Sequence, residues 1–238
     1  MRSALAAGEI RAYFDIKSPH AYLAVAPTAQ VAADYHCTID WLPFELSYKD
    51  LGVTSSDLDV EDGIRRPPSA AGDRRARMYY ATAREYARLQ GLKIRAPERL
   101  LNSRLANMTI LYAREQGVAM PYLQAMYDAG WPNGWRDVDM TDVATLEFAL
   151  ERAGGHADGL REYLRSERAR VEYAAVQEAA LASGVAGVPH YEVHHDGRTK
   201  GFFGREHLSL IRHWLHDAEL QRRTDVQPDV SHAWVPRL

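Results

Sequence analysis

Two short stretches near the start of the chain predict strands, the first a short aromatic-bearing apolar run bounded by charge, Arg11 to Asp15 (RAYFD), entering a core. The second runs from Cys37 to Leu42 through Thr38, Ile39, Asp40 and Trp41 and predicts another strand, stopped by Pro43. Between them Ser18 precedes Pro19, the order expected of an N-cap followed by the first helical position. The alanine-rich run from Ala21 to Asp34 continues that helix. Pro27 interrupts it, because its ring clashes with the carbonyl four residues earlier, so a kink is expected near Leu23.

From Asp50 to Pro68 the periodicity decays into acidic sequence with Gly, Pro and Ser, which reads as a loop or mobile segment able to move over a cleft. From Asp73 to about Ser183 the period becomes helical. Met78, Tyr79, Ala83, Tyr86 and Leu89 recur at helical spacing up to Gly91. Further helical runs follow over Asn102 to Gln116, Met120 to Ala129, Thr141 to Ala153 and Gly159 to Ser183, the last as two helices or one bent one. After Gly184 two short strands are expected around Asp196-Gly197, a dipeptide typical of a two-residue hairpin turn. Arg205 to Asp217 carries Leu208, Ile211 and Leu215 on one face and predicts a last amphipathic helix, with an irregular polar tail from Gln221.

Strand, helix, strand, helical block, hairpin and helix is the order in which an α/β thioredoxin fold with a large all-helical insertion is written. The boundaries implied are 10–50 and 184–220 for a discontinuous thioredoxin-fold domain, 70–183 for the insertion and 221–238 for the tail. Composition agrees with a soluble globular protein: 238 residues, 46% apolar and 26% charged. A net charge of −3 gives no general attraction to nucleic acid or anionic membrane. The first residues hold too short an apolar run for a signal peptide, and a cytoplasmic protein is expected. One cysteine, Cys37, excludes an intramolecular disulfide, a CxxC redox pair and a cysteine-rich zinc site. On a strand, His190 and His194 share a face but lie about 13 Å apart at roughly 3.3 Å per residue, with His195 on the other face, so no metal is expected there.

Three segments resemble a known family. FDIKSPHAYLA at 14–24 is similar to the opening of 2-hydroxychromene-2-carboxylate isomerases and kappa-class glutathione transferases, within the DsbA-like thioredoxin-fold proteins. WLPFELSYKDLG from Trp41 resembles their Trp-x-Pro segment, and NSRLANM from Asn102 their asparagine-containing helix start. GVAGVPHYEV followed by FFGREHL is similar to their Gly-Val-Pro and aromatic-Gly-x-acid-Arg-Leu segments. Leu42, where the family has arginine, and His207, where it has arginine beside the acid, depart from the pattern.

The resemblance implies a glutathione-dependent isomerase or transferase for an aromatic or conjugated keto-acid, acting by reversible thiolate addition, and homodimers of the kind common among the look-alikes. It implies a cis Val188-Pro189 peptide facing the start of the first helix, with the Val188 backbone pairing with the cysteinyl part of glutathione. Ser18 is the central candidate: a hydroxyl at a helix N-terminus, with unpaired N–H groups and the positive dipole end, favours a thiolate. Capping the helix is its plainer role. Glu206 and His207 occupy the acid-Arg position that holds the glutamyl end of glutathione, although Glu206 also suits a first helical turn on its own. Asn102 and Lys49 match residues able to reach glutathione carboxylates or substrate oxygens; an N-cap and a solvated lysine are their plainer roles. His190 follows the proline and reads either as an acid or base beside substrate or as a surface histidine. Trp131 to Trp135 reads as the lining of an aromatic pocket or as core. Ser18 and Ala21 stand where redox relatives carry cysteines, which conflicts with thiol-disulfide exchange. The reading from a different class is a protein that binds a peptide, partner or other thiol ligand without turnover.

Overall fold

The computed structural model of the protein describes residues 5–6, 8–48, 70–195 and 197–229. Alternating sequence forms the four strands β1 (Glu9–Phe14), β2 (Thr38–Pro43), β3 (His190–His195) and β4 (Arg198–Phe203), which make one sheet in the order β2-β1-β3-β4. β1 and β2 are parallel and therefore need a crossover, which helix α1 (Pro19–Asp34) supplies. β3 runs antiparallel to β1, and β4 antiparallel to β3. This is the thioredoxin core that the order of elements predicted.

The insertion between β2 and β3 is helical throughout its described elements: α2 (Ala70–Leu89), α3 (Arg104–Glu115), α4 (Ala119–Gly130), α5 (Val143–Arg152), α6 (Leu160–Arg165) and α7 (Glu167–Ala182). The run from Gly159 resolves as two helices because Ser166 turns extended (φ −73°, ψ 151°) and its Oγ accepts from the Ala169 N–H at 3.1 Å, capping the second. A 3-10 turn at Arg205–His207 leads into the closing helix α8 (Leu208–Asp217). The loop expected over 50–68 lies outside the described residues.

The pleat decides what each sheet face carries. Ile10, Ala12, Phe14, Tyr191 and Val193 are buried towards α1, where the Tyr191 hydroxyl meets Thr28 Oγ1 at 2.8 Å. α8 covers the same face further along, with Trp214 stacked on His195 at a centroid distance of 4.1 Å. The opposite face carries a buried polar group: Glu192 Oε2 accepts from the Tyr13 hydroxyl at 3.1 Å and from Arg11 at 3.3 Å, beside His190. Trp131 and Trp135 belong to the core of the insertion, edge to face at 5.8 Å and both fully buried. Gly130 is required there, since a Cβ at that position collides with the Trp135 ring.

The tail after α8 has little regular structure among its described residues yet is tied down. Arg212 donates to Asp34 Oδ2 at 2.6 Å and to the Gln227 carbonyl at 2.7 Å, and Arg222 donates to the carbonyls of Ala32 and Tyr35. Arg212 and Asp34 are both buried, and the other cation near Asp34, Arg223, is exposed and 3.6 Å away, so removing Arg212 takes away the main counter-charge of a buried carboxylate. We expect Arg212→Ala to lower unfolding free energy by about 3–5 kcal/mol, measured by urea denaturation. A loss below about 1 kcal/mol is the value of an exposed pair and contradicts this account.

Candidate functional site

The turn that joins β1 to α1 is held by Asp15, whose carboxylate is fully buried. Its Oδ1 accepts from the Lys17 N–H at 3.2 Å and from Asn107 Nδ2 at 3.0 Å, and its Oδ2 accepts from the Leu46 N–H at 2.7 Å. Lys17 Nζ lies 3.5 Å from Oδ2 and over the Tyr48 ring at 4.9 Å. The Asp15 carbonyl accepts from the Ser18 N–H and the Tyr127 hydroxyl, each at 2.9 Å. Asn107 Oδ1 closes the turn by accepting from the Ile16 N–H at 3.1 Å.

Ser18 follows as the N-cap of α1, with Pro19 in the first helical position as the sequence predicted. Its Oγ accepts from the Ala21 N–H at 3.2 Å and lies 3.3 Å from the hydroxyl of Tyr79 on α2. α2 is docked by a consequence of Pro27. That residue has no N–H, so the Leu23 carbonyl four positions earlier lacks its helical partner and accepts instead from Gln90 Nε2 at 3.0 Å. α1 itself runs without a break across the proline.

Sheet register brings the second half of the site to the same edge. Tyr13 pairs with His190, which places Val188-Pro189 beside the end of β1, where α1 begins. The Val188-Pro189 peptide is cis. His190 also pairs with Phe203, and the Gly204 N–H donates to the Pro189 carbonyl at 2.9 Å, so the Arg205–His207 turn joins the same edge. Gly204 has φ +111°, and a side chain there meets the Glu206 carboxylate. Neither backbone polar group of Val188 has a partner among the described residues.

Arg205 was not singled out by sequence. Its guanidinium lies 3.7 Å above the Tyr86 ring, and Nη1 and Nη2 are buried with no hydrogen-bond partner among the described residues. Burial holds its pKa below the ordinary value, against the pull of Tyr86 and Glu206. Burial also lowers the pKa of His20, which packs edge-on to Tyr79 at 4.3 Å; Arg205 adds to that shift, and the Tyr79 contact and Glu206 oppose it.

The other expected residues are placed differently from one another. Glu206 is exposed and electrostatically close to His20 and Arg205, whereas the His207 ring packs on Phe202 at 5.4 Å. Asn102 is exposed before α3, its Oδ1 accepting from the Arg104 N–H at 3.2 Å; the asparagine that reaches the Ser18 turn is Asn107. Lys49 lies outside the described residues. His190 points to the sheet face away from α1, against Tyr13. Among the described residues no group of three or more His, Cys, Asp or Glu is placed to hold a metal ion, and no helix is long and apolar enough to cross a membrane. Cys37 is buried, and burial pushes its thiol up to about 11.

Burial lowers the His190 pKa, with Glu192 opposing, so both His190 and His20 resist protonation in the fold. The unfolded chain takes up those protons first, near the ordinary value of about 6.5, and stability falls as pH drops from there towards the lower folded-state values. We expect the urea midpoint to fall between about pH 7.5 and about pH 5.5 and the fall to be shallower in His190→Asn. Equal slopes in the two proteins contradict a buried neutral His190.

The model of the DsbA-like thioredoxin domain matches residues 9–216 of this chain. Over 205 residues the chain is 26% identical to the 2-hydroxychromene-2-carboxylate isomerase of Sphingobium xenophagum, spanning 86% of this chain and 96% of that protein. A shorter match of 89 residues at 32% identity, 36% of this chain and 39% of the relative, is to glutathione S-transferase kappa 1 of Homo sapiens. A solved 2-hydroxychromene-2-carboxylate isomerase shares the fold with a TM-score of 0.66 at 22% identity, over 88% of this chain and 95% of that one. Because the family match runs from the first strand into the closing helix, it takes in both halves of the sheet and the insertion between them, and the chain belongs to the DsbA-like thioredoxin domain family.

Proposed function

We propose that the chain is a glutathione-dependent isomerase or transferase acting on an aromatic or conjugated keto-acid, with the hydroxyl-capped start of α1 stabilising the glutathione thiolate. The observation that carries this reading is Ser18: a hydroxyl, not a thiol, caps a sixteen-residue helix at the sheet edge that also holds cis Pro189. The similarity to 2-hydroxychromene-2-carboxylate isomerase over most of both chains supports the reaction class. With Cys37 as its one cysteine, the chain has no internal dithiol for disulfide exchange.

The residues present fit glutathione. The backbone groups of Val188, without partners among the described residues, suit an extended peptide laid at the ends of the central strands β1 and β3. The buried, acceptor-less Nη1 and Nη2 of Arg205 suit a carboxylate, which compensates for histidine at position 207. When bound, glutathione supplies a thiolate that adds to a conjugated double bond, permits rotation about the resulting single bond and leaves again. The chain's part is to hold that sulfur ionised, through the hydroxyl cap and the positive end of the α1 dipole. A thiol ligand held without turnover is the second reading, favoured by the closure of Ser18, which is 1% exposed.

Calorimetric titration with reduced glutathione tests the proposal. We expect saturable binding that weakens about tenfold or more in Ser18→Ala and with S-methyl glutathione, the loss of one hydrogen bond to a charged group. Turnover of a conjugated aromatic keto-acid then separates enzyme from binding protein. Absence of binding at millimolar glutathione overturns the glutathione reading.

A further inference from the structure

We infer that the hydroxyl of Tyr79 donates to the keto oxygen of the substrate while Ser18 holds the sulfur; the inference rests on the thiolate-addition reading above and concerns the second charge in that reaction. When the sulfur electron pair forms the new C–S bond at the far end of the conjugated system, the carbon–carbon π pair moves one bond along. The carbonyl π pair then comes to rest on the keto oxygen. The adduct is an enolate until the same electrons return, re-forming the carbonyl and the conjugated double bond as the C–S bond breaks and the thiolate leaves. No proton and no further reactant is consumed. The barrier therefore depends on how well two anionic atoms, sulfur and oxygen, are stabilised in turn. Ser18 and the start of α1 serve the first.

Tyr79 is placed for the second. Its oxygen lies 3.3 Å from Ser18 Oγ, so a sulfur held by Ser18 has the phenol as its neighbour, and only a short conjugated link separates that sulfur from the keto oxygen. Ser18 is 1% exposed and Tyr79 36% exposed, so the phenol is the accessible one of the pair. In the free protein the two hydroxyls satisfy each other. Which of them donates is immaterial, because each carries one proton, and the sulfur and the keto oxygen take one apiece. The other charged donors here are engaged differently: Lys17 is buried against Asp15, and the Arg205 guanidinium lies on the Tyr86 ring, where it suits a carboxylate. His20 packs edge-on to the Tyr79 ring at 4.3 Å and Tyr80 at 5.9 Å, which fixes the direction of the phenol. Burial pushes the Tyr79 pKa up to about 12, against the Ser18 bond, which lowers it. The phenol thus keeps its proton at neutral pH and meets an enolate oxygen as a neutral donor in a charge-assisted hydrogen bond. Tyr79 is a catalytic residue that the helical insertion supplies to the thioredoxin core.

The test is glutathione addition to benzylidenepyruvate, a conjugated aromatic keto-acid, followed as loss of its conjugated absorbance in wild type, Tyr79→Phe and Ser18→Ala. The pKa of the glutathione thiol in each binary complex is read beside it from thiolate absorbance. Phenylalanine keeps the ring contacts. We expect Tyr79→Phe to lower kcat and kcat/KM alike by about a hundredfold, as for an interaction made only in the transition state, with glutathione affinity and the bound-thiol pKa unchanged. Ser18→Ala instead raises the bound-thiol pKa by about one unit, a tenfold loss in ionisation. A Tyr79→Phe rate within about threefold of wild type, or a rate loss accounted for in full by weaker glutathione binding or a raised thiol pKa, overturns the inference alone and leaves Tyr79 as a cover over Ser18. Failure of the wild type to bind glutathione or to add it to the probe overturns the thiolate-addition reading and this inference with it.

Discussion

The buried carboxylate of Asp15 is the constraint on which the site depends. An ionised carboxyl away from water is tolerable only when its oxygens are fully engaged, and here they take two backbone N–H groups, the Asn107 amide and the Lys17 ammonium. Those partners come from the turn itself, from α3 and from the segment after β2, while Tyr127 of α4 holds the Asp15 carbonyl. The position of Ser18 is thus determined by three parts of the chain at once. A hydroxyl placed in this way would meet an arriving charge without reorganisation, which is the property electrostatic catalysis requires.

The second constraint arises from a defect. Pro27 deprives α1 of one donor, and the protein fills the gap with Gln90, a residue just beyond α2. α2 lies on α1 through that bond, through the Tyr79 contact with Ser18 and through buried Ala83 and Ala87. A missing helical hydrogen bond that is costly in isolation becomes an attachment point that sets where Tyr79 and Tyr86 sit. The insertion is in this way part of the site's wall.

What the sequence made legible follows the range of each interaction. Strand alternation, the Ser18-Pro19 cap and the hairpin are local signals, and they lie where the pattern put them. The Ser166 break was open only because a helix can bend through serine; its cap geometry decides for two helices. Asp15, Asn107, Tyr79 and Arg205 were missed because each acquires its meaning from a distant partner: Asn107 is 92 positions from Asp15, and Tyr79 is 61 from Ser18. Family resemblance drew attention to Asn102 at a helix start, but the amide directed at the core lies inside α3, on the face that helix turns inward. His207 was drawn in the same way, whereas its ring serves the Phe202 contact and the buried cation is two residues earlier.

The charges around the start of α1 do not balance, and the imbalance is informative. Lys17 is matched by Asp15, whereas Arg205 is buried over an aromatic ring with no acceptor for its terminal nitrogens among the described residues, and its nearby counter-charge, Glu206, is exposed. A cation over a tyrosine face recovers about 0.5–2 kcal/mol, and a solvent-screened carboxylate beside it adds little more. The positive end of α1 lies at the same place, while His20, which Arg205 helps to keep neutral, adds no charge there. The guanidinium of Arg205 is thus the least well satisfied charge at this end of the sheet. An anion bound there would offset part of the cost of burying Arg205, so its affinity and the stabilisation of the folded chain would draw on the same free energy.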